Sequence, residues 1–489
     1  MSNSNRCGQE PQSTGKMTGI TRRSLLQGMG ALAMLPMAAS GSRSSNADER
    51  NIGTRAELFV DGWLIDRMRG AELRLNPPER REVVLTTDRP WEGVDSAYYS
   101  AIQDGGKIRI YYRGLCPQDL SANQLTCMVE SADEVRFTRP SLGLFSFDGS
   151  RDNNIIWRGR ESHNFAPFLD SNPAVRGSER YKALGGVDGK LFGFVSQDGI
   201  QWRKIVDRPL ITDGTFDSLN TAFWDPQISR YRCYSRFFDG EVRAIQSCTS
   251  ADFITWSKPV PNRYPSGAPR EHFYTNAVRP CPGAEHILLS FPKRFVPSRT
   301  KLRGYKEPGV SDAVFMSSRD GLRWDRSFVE AWARPGLDER NWTQRSNMPA
   351  TGIVGREGEP HCMYVSEHYQ WPDNRLRRLS IPWHRFASIH AGANNGEVVT
   401  HPLVFDGAVL RLNYATSAAG SVVVELQQPD GAPIPGFGAG DMAPLFGDSL
   451  NEPVSWKGRA KLAVLRGKPV RMRFILSDAD VYAIRTSPA

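Results

Sequence analysis

The sequence predicts an all-β protein, namely a five-bladed β-propeller followed by a β-sandwich. The first observation is a phrase of the form Ser-x-Asp-Gly-x-x-Trp that returns along the chain. Two full copies and two looser ones occur, at residues 131–137, 196–202, 250–256 and 318–324. Successive aspartates are 54 to 68 residues apart, and a period of this length indicates one supersecondary unit copied several times.

The second observation is the strand pattern around each copy of the phrase. Asp-Gly favours a tight turn, and the flanking apolar and aromatic residues alternate as they do in strands. A short strand is predicted ahead of each copy, at residues 126–130, 191–195, 243–248 and 313–316. An aromatic-rich strand is predicted ahead of that one, at residues 109–113, 181–184, 231–237 and 286–291. Each copy is therefore interpreted as the turn between the last two strands of a four-stranded blade.

A fifth unit lacks the phrase but has the same strand pattern. Its four strands are predicted at residues 348–354, 361–366, 376–381 and 386–390. Five units then occupy residues 88–391, and radial repetition of four-stranded sheets defines a β-propeller. A β-sandwich with chance turn phrases is the alternative for this region.

The N-terminal residues predict an export signal and a lead-in segment. Thr21-Arg22-Arg23-Ser24-Leu25-Leu26 precedes a short, weakly apolar run, which is typical of a twin-arginine signal peptide over residues 1–41. That run is too short for a membrane span, so none is expected in the mature chain. Residues 42–87 form the lead-in, and the protein is expected to be periplasmic or extracellular.

The C-terminal region is predicted as a separate β-sandwich over residues 392–489. Alternating stretches predict strands, and glycine-containing turns separate them. The predicted strands are residues 409–414, 421–427, 461–465 and 470–476.

Composition excludes some classes of function. The 62 basic and 53 acidic residues give a formal net charge of +9, which is mild for 489 residues and does not predict nucleic-acid binding. The seven cysteines show no metal-ligand spacing. Cys116 with Cys127, and Cys233 with Cys248, lie on strands predicted to be neighbours, and either pair could form a disulfide. No cofactor is predicted, a structural Ca²⁺ stays open, and the sequence does not predict an oligomeric state.

The predicted innermost strand of each blade carries polar and aromatic side chains, which would meet at one mouth of the central channel. Burying such groups is costly unless each is hydrogen-bonded, so their number suggests a binding site. Aromatic rings stack on sugar faces and amides hold hydroxyl groups, so we predict a carbohydrate ligand. The predicted substrate-binding residues are Asp95, Tyr98, Tyr99, Glu161, His163, Asn164, Asn220, Trp224, His272, Tyr274, Asn276, Arg294, Arg345, Asn347, Glu367 and His368.

Acids on inner strands, the repeated turn phrase and a trailing β-sandwich together resemble the five-bladed propeller glycosidases, a clan of invertases, fructan hydrolases, arabinanases and β-xylosidases. The resemblance covers residues 88–489 in architecture. It implies a glycoside hydrolase with one acid from each of the first three blades. Glu92 or Asp95 matches the first acid and Asp217 matches the third. The second is matched by Glu161 or Asp170.

The sequence departs from that clan in its motifs. The Asn-Asp-Pro-Asn and Arg-Asp-Pro phrases of invertases are absent, and the third acid of the clan is usually glutamate. Glu271, in the fourth blade, is therefore a rival acid. Glycosidic cleavage needs one protonated and one ionised carboxyl group, and we predict Glu92, Asp217 and Glu271 as the catalytic set.

Two other functions remain open, together with the charge of the ligand. The propeller could bind carbohydrate without catalysis, or it could be a sialidase-like enzyme with inner arginines. A basic stretch predicts a long loop in the fourth blade, which is either a solvated surface loop or a contact for an anionic glycan, uronic or sulfated. Its residues are Lys293, Arg294, Arg299, Lys301, Arg303 and Lys306.

Overall fold

The computed structural model describes residues 49–115, 124–305, 307–457 and 461–488. The predicted signal at residues 1–41 lies outside these ranges, as do Cys116 and Lys306. Across the described residues the chain forms strands and five short 3-10 helices, which confirms the predicted all-β class. The 3-10 helices are Arg160–His163, Gly177–Glu179, Glu339–Asn341, Ala439–Asp441 and Leu462–Leu465.

Five strands precede the repeated units. They are β1 (Arg50–Gly53), β2 (Glu57–Leu58), β3 (Ile65–Arg69), β4 (Glu72–Leu75) and β5 (Glu79–Thr86). The first four pair with strands from the C-terminal region, whereas β5 pairs with the fifth repeated unit. The predicted lead-in segment is thus divided between two parts of the fold.

The first three repeated units are four-stranded antiparallel sheets in which neighbours in sequence are neighbours in space. The first contains β6 (Ala97–Asp104), β7 (Lys107–Arg113), β8 (Leu125–Ser131) and β9 (Ile155–Arg158). The second contains β10 (Ala166–Leu169), β11 (Tyr181–Gly185), β12 (Phe192–Ser196) and β13 (Arg203–Lys204). The third contains β14 (Thr221–Asp225), β15 (Arg230–Asp239), β16 (Val242–Ser250) and β17 (Val260–Pro261).

The fourth unit is divided into two three-stranded sheets. Its strands are β18 (His272–Phe273), β19 (Arg279–Cys281), β20 (Ala284–Ser290), β21 (Lys293–Val296), β22 (Val310–Ala313) and β23 (Met316–Ser318). Strand β20 pairs with β19 and β23, and β21 pairs with β18 and β22. Pro292 lies between β20 and β21 and has no backbone N–H, so the pairing is interrupted there.

The fifth unit is completed by a strand from the other end of the repeat. It contains β24 (His361–Glu367) and β25 (Arg375–Ile381), and β25 pairs with β5. Its innermost segment pairs through single bridges, Pro349 with Val365 and Val354 with Cys362. The fourth strand that we predicted at residues 386–390 is instead part of the C-terminal sheet.

The last unit lies beside the first, so the five units close into a ring. Ser100 of the first unit and Thr351 of the fifth form a parallel bridge. The Tyr364 hydroxyl donates to the Glu134 carbonyl oxygen across the same junction at 3.0 Å. Equivalent bonds join Tyr111 to Gly199 at 3.0 Å and Tyr234 to Gly321 at 2.8 Å.

Each repeated turn is built on its aspartate. Oδ1 of Asp198 accepts from the backbone N–H groups of Ile200 and Gln201, both at 2.8 Å. Gly199 follows with a φ of 73°, and a Cβ there would lie 2.6 Å from the Tyr111 hydroxyl. The Asp-Gly pair therefore serves both the turn and the contact with the preceding unit.

The C-terminal residues form one eight-stranded sheet that includes β2, β3 and β4. Its other strands are β26 (Ala387–Ala391), β27 (Gly396–Thr400), β29 (Val409–Gln427), β30 (Asp448–Pro453) and β31 (Arg471–Ser487). Strand β28 (Leu403–Phe405) does not belong to this sheet and pairs separately with β1. Strands β29 and β31 pair along most of their length. The strand predicted at residues 461–465 is the 3-10 helix Leu462–Leu465. Strands β2, β3 and β4, which lie in the predicted lead-in segment, are thus hydrogen-bonded into the sheet of the predicted C-terminal region.

Of the two predicted disulfides, only the pair of Cys233 and Cys248 lies wholly within the described residues. Cys233 and Cys248 lie opposite each other in the register of β15 and β16, and both are free thiols. Cys127 is a buried free thiol as well.

Candidate functional site

Five cationic side chains from several units surround a group of tyrosines near the inner segments, and we refer to them as the cation cluster. Its members are Arg113, Arg236, Arg243, Lys293 and Arg345. Arg113 ends β7, Arg236 lies in β15, Arg243 lies in β16 and Lys293 begins β21. The first and third units thus contribute residues from their second or third strands, and the fourth unit contributes Lys293 from β21. Arg345 lies in the loop before the fifth unit.

Three buried tyrosines hold the cluster together. The Cζ atom of Arg113 lies 4.8 Å from the Tyr98 ring centroid, and that of Arg236 lies 5.1 Å from the Tyr274 centroid. The Tyr369 hydroxyl accepts from Arg113 at 3.2 Å and from Arg345 at 3.0 Å. The cations are therefore held apart by aromatic rings rather than by carboxylates.

Lys293 is the most deeply buried member. Its side chain is 0% exposed, and Nζ has no hydrogen-bond partner among the described residues. Nζ lies 4.0 Å from the Tyr274 ring centroid. Burial, followed by the charges of Arg345, Arg243 and Arg236, holds the pKa of Lys293 well below its usual range.

His163 borders the cluster from the second unit. Its Nδ1 lies 2.9 Å from Oε1 of Gln124, and its Nε2 lies 3.4 Å from a terminal nitrogen of Arg113. Burial and then the repulsion of Arg113 and Arg345 lower the pKa of His163 to about 3. The imidazole is therefore neutral at physiological pH.

Three carboxylates lie beside the cluster and are partly or largely exposed. Asp217 pairs with Arg236, and the Tyr98 hydroxyl donates to the Asp217 carbonyl oxygen at 3.1 Å. Glu307 lies 3.5 Å from Nε of Arg345. The side chains of Asp217 and Glu307 are 49% and 23% exposed, so both are accessible to a ligand. Asp95, the third, accepts from the Gln370 amide at 3.1 Å.

An aromatic pair stands beside Tyr369. The rings of Tyr305 and Trp371 stack with centroids 6.2 Å apart and planes at 20°. The Tyr305 hydroxyl donates to the Tyr369 carbonyl oxygen at 3.1 Å, which fixes the pair next to the cluster. Both residues are partly exposed, as a sugar-stacking surface requires.

Within the described ranges, no three His, Cys, Asp or Glu side chains are grouped so that they could hold a metal ion. A search of the same residues for a helix with the length and apolar character of a membrane span finds none.

Two of the three predicted catalytic acids are ion-paired away from the cluster. Glu92 is 0% exposed, accepts two bonds from Arg139 at 2.8 and 2.9 Å and one from the Tyr112 hydroxyl. Glu271 accepts from Arg294 at 2.8 Å and from Arg326 at 2.5 Å. Among the described residues, the three acids share no partner, so the structure does not assemble Glu92, Asp217 and Glu271 into one site.

Several predicted binding residues have structural contacts instead. Tyr99 stacks on Tyr112 at 5.5 Å inside the first unit, and Trp224 packs edge-on against Tyr231 at 5.0 Å inside the third. Glu161 pairs with Lys204 at 2.7 Å. Tyr99 and Trp224 lie on the inner strands β6 and β14 but pack within their own sheets, and Glu161 lies in the 3-10 helix Arg160–His163 and bonds the outer strand β13.

The predicted asparagines bond the backbone rather than facing a ligand. Their amide groups donate to main-chain carbonyl oxygens of the inner segments at 2.7 to 3.0 Å, which satisfies backbone that has no strand partner. They are Asn164, Asn220, Asn276 and Asn347.

The remaining charged predictions are also engaged. Glu367 is 1% exposed and pairs with Arg80, Arg375 and Arg377. His368 bridges Asp338 and Asp373. Arg294 donates to both oxygens of Asp312, so its guanidinium is already engaged by a carboxylate of the chain.

The predictions that the structure does bring to the cluster are Asp95, Tyr98, His163, Asp217, Tyr274 and Arg345, with His272 beside Arg243. Sequence reasoning missed Arg113, Arg236 and Arg243 as site residues and treated Lys293 as part of an exposed loop. A signal existed, because Arg113 and Arg236 lie near the ends of the aromatic-rich second strands of their units, and Lys293 directly follows the corresponding stretch of the fourth unit.

No family model and no curated protein matches the chain. Solved structures overlap it in part. A glycoside hydrolase has 13% identity and a TM-score of 0.44 over 63% of this chain and 92% of its own. An N-acetylgalactosamine deacetylase from F. plautii has 13% identity and a TM-score of 0.41 over 64% of this chain and 96% of its own.

A third structure comes from the GH130 family of mannoside phosphorylases, which is described as containing glycoside hydrolases that target β-1,2 mannosidic linkages. It has 12% identity and a TM-score of 0.41 over 63% of this chain and 94% of its own. Since the scores and identities are this low, function is argued below from the residues of this chain.

Proposed function

We propose that the protein is a carbohydrate-active enzyme, a glycoside hydrolase, with its active site at the cation cluster. The observation that carries the proposal is the pairing of two accessible carboxylates with an aromatic surface. Asp217 and Glu307 lie on different cations of one cluster, and Tyr305 stacks on Trp371 beside them. Glycosidic cleavage requires a pair of carboxyl groups that transfer protons or attack the sugar, and an aromatic ring beside them can hold the sugar in place.

In this proposal Asp217 and Glu307 replace the predicted set of Glu92, Asp217 and Glu271. One of the two protonates the leaving oxygen and the other acts as base or nucleophile. Their arginine partners, Arg236 and Arg345, orient them. His163 is neutral and buried, so it serves to position Arg113 rather than to exchange protons with substrate.

The test is an assay of the purified mature protein on a polysaccharide and oligosaccharide panel, reading released reducing sugar. Asp217→Asn and Glu307→Gln keep the side-chain shape and remove proton transfer, so each should lower turnover by roughly 10²–10⁴-fold. Glu330→Gln, on an exposed surface position, is the matched control and should leave turnover unchanged.

A non-catalytic carbohydrate-binding protein is the second candidate, favoured by the arginine partner that each carboxylate already has. It predicts sugar binding without release of reducing sugar from any member of the panel. A sialidase-like enzyme stays third, because the cluster contains arginines beside tyrosine hydroxyls. A sialic-acid glycoside in the panel distinguishes it.

We propose in addition that the protein acts outside the cytoplasm, after export by the twin-arginine route. The support is the Arg22-Arg23 pair ahead of a short apolar run. Replacement of both arginines by lysine should retain the full-length chain in the cytoplasmic fraction of the expressing cell. A processed N-terminus in the periplasm of that double variant would contradict the proposal.

A further inference from the structure

Two members of the cation cluster have no carboxylate partner among the described residues. Arg236 pairs with Asp217 and Arg345 with Glu307, whereas Arg243 and Lys293 have no such partner in that part of the chain. Burying a cation without a partner is costly. An anionic ligand would supply the partner that these two side chains lack.

Lys293 shows this deficit most clearly. The side chain is fully buried, its Nζ has no hydrogen-bond partner among the described residues, and the nearest charges around it are Arg236, Arg243 and Arg345. The Tyr274 ring at 4.0 Å offsets part of the cost, but a ring cannot neutralise a full charge. If no ligand bound here, an apolar residue at this buried position would make the folded protein more stable than a lysine does.

We propose that the cation cluster binds the acidic group of a sugar, the carboxylate of a uronic acid. This inference rests on the proposed carbohydrate function. Arg243 and Arg345 keep part of their side chains exposed and make the direct contacts, whereas Lys293 lies beneath them and becomes charged when the carboxylate binds. Arginine binds a planar carboxylate through two parallel hydrogen bonds, which suits this role.

The two rim carboxylates favour an acid carried by a sugar over a free inorganic anion. Asp217 and Glu307 would repel a free phosphate with two negative charges. A uronic acid has one negative charge, and its hydroxyl groups can donate to both carboxylates. Its ring can stack against Tyr305 and Trp371 beside the cluster.

The exposed basic loop does not offer an equivalent site. Arg294 is fixed by Asp312 and Glu271, and Arg299, Lys301 and Arg303 are exposed on the surface. An exposed cation in water binds a single carboxylate weakly. These residues therefore serve as matched controls for the buried cluster.

The experiment is calorimetric titration of the purified protein with glucuronate, glucose, glucose 6-sulfate and inorganic phosphate. Glucuronate is expected to bind at least about tenfold more tightly than glucose, with an affinity that falls as sodium chloride is raised. Lys293→Met and Arg345→Met are expected to weaken glucuronate binding about tenfold or more, whereas Arg299→Met leaves it unchanged. Circular dichroism of each variant verifies that it is folded, and Arg243→Met replaces any variant that is not.

Equal affinity for glucose and glucuronate, or unchanged affinity in the Lys293 and Arg345 variants, overturns the inference. Tighter binding of inorganic phosphate than of glucuronate also overturns it, because the anion would then be free rather than part of the sugar. Tighter binding of the sulfated sugar retains an acidic sugar but rejects the carboxylate. Glucuronate binding without any hydrolysis contradicts only the proposed enzyme, whereas hydrolysis of neutral glycans without glucuronate preference contradicts only this inference.

Discussion

The ammonium group of Lys293 lies 4.0 Å from the centre of the Tyr274 ring, fully buried and without a hydrogen-bond partner among the described residues. Strand β21 begins at Lys293, directly after the break that Pro292 makes in the fourth unit. The lysine lies among Arg236, Arg243 and Arg345. The interruption of the fourth unit and the most deeply buried cation of the site are thus adjacent in the chain.

Lys293→Met should stabilise the ligand-free protein at neutral pH. The folded-state pKa of Lys293 is lowered, so between that value and the usual lysine range the unfolded chain binds a proton that the folded chain does not. The free energy of unfolding of the wild type therefore rises with pH in this window. The difference in stability between the variant and the wild type becomes smaller as a result.

At pH 7 the Lys293→Met variant should unfold at a higher urea concentration than the wild type, because burial and the neighbouring cations disfavour the ammonium form of Lys293. Urea unfolding of both proteins from pH 6 to about 10 measures it. Lys301→Met, on the exposed loop, is the control and should change nothing. A variant that is less stable than the wild type at every pH would show that Lys293 is already paired.

His163 should make the protein less stable in acid. Its pKa is about 3 in the folded chain against an ordinary value of 6.5, so the unfolded chain takes up the proton first as the pH falls. The contribution is complete above pH 6.5 and is lost progressively towards pH 3, costing about 2 kcal/mol by pH 5.

Buried His361 and His384, with pKa values of about 3 and 4, act in the same direction. His163→Gln should flatten the acid limb of the stability curve without removing it, whereas the half-buried His401→Gln should leave it unchanged. Nuclear magnetic resonance of the ring protons gives an independent reading. A His163 signal that titrates near pH 6.5 would contradict the burial and repulsion described here.

Tyr364→Phe should destabilise the closure of the ring. The hydroxyl donates to the Glu134 carbonyl oxygen between the fifth and first units, and its loss leaves a carbonyl without this donor. The expected cost is about 0.5–1.5 kcal/mol. Tyr234→Phe removes the equivalent bond to Gly321 between the third and fourth units, so thermal unfolding of both variants compares the two junctions. A cost for Tyr234→Phe with none for Tyr364→Phe would show that the first and last units are not joined there.

The sequence predicted the repeat because its signal is local. The aspartate, the glycine and the flanking strands of each turn lie within a few residues, and their chemistry leaves little choice of conformation. The strand that completes the fifth unit, β5, could not be predicted from such a local signal. Residues 386–390 follow β25 closely in sequence, whereas residues 79–86 lie far ahead of it, and the choice between them as partners of β25 depends on pairing across most of the chain.

The site residues were hard to predict for the same reason, because the partner of a side chain can lie far away in the sequence. Glu92 and Asp95 are three residues apart and equally polar, yet Glu92 meets Arg139, which lies 47 residues further along the chain. Such a partner cannot be read from a strand pattern. The cluster was accessible in principle, since aligning the units places Arg113, Arg236 and Lys293 at comparable positions. Their shared direction becomes apparent only when the ring closes.

Asp320→Ala should lower stability without a specific effect on function. Oδ1 of Asp320 accepts from the backbone N–H groups of Leu322 and Arg323 at 2.8 and 2.7 Å, and the same arrangement recurs at Asp198. Loss of one such turn should cost about 1–2 kcal/mol, because two amide donors lose their acceptor at a position partly open to water. Asp198→Ala, which removes the equivalent turn of the second unit, should cost a similar amount. Thermal unfolding gives the stability of each variant, and sugar binding by the folded fraction gives its function. A turn variant that keeps its unfolding temperature but loses ligand binding would mean that the repeated aspartates belong to the site and not to the scaffold.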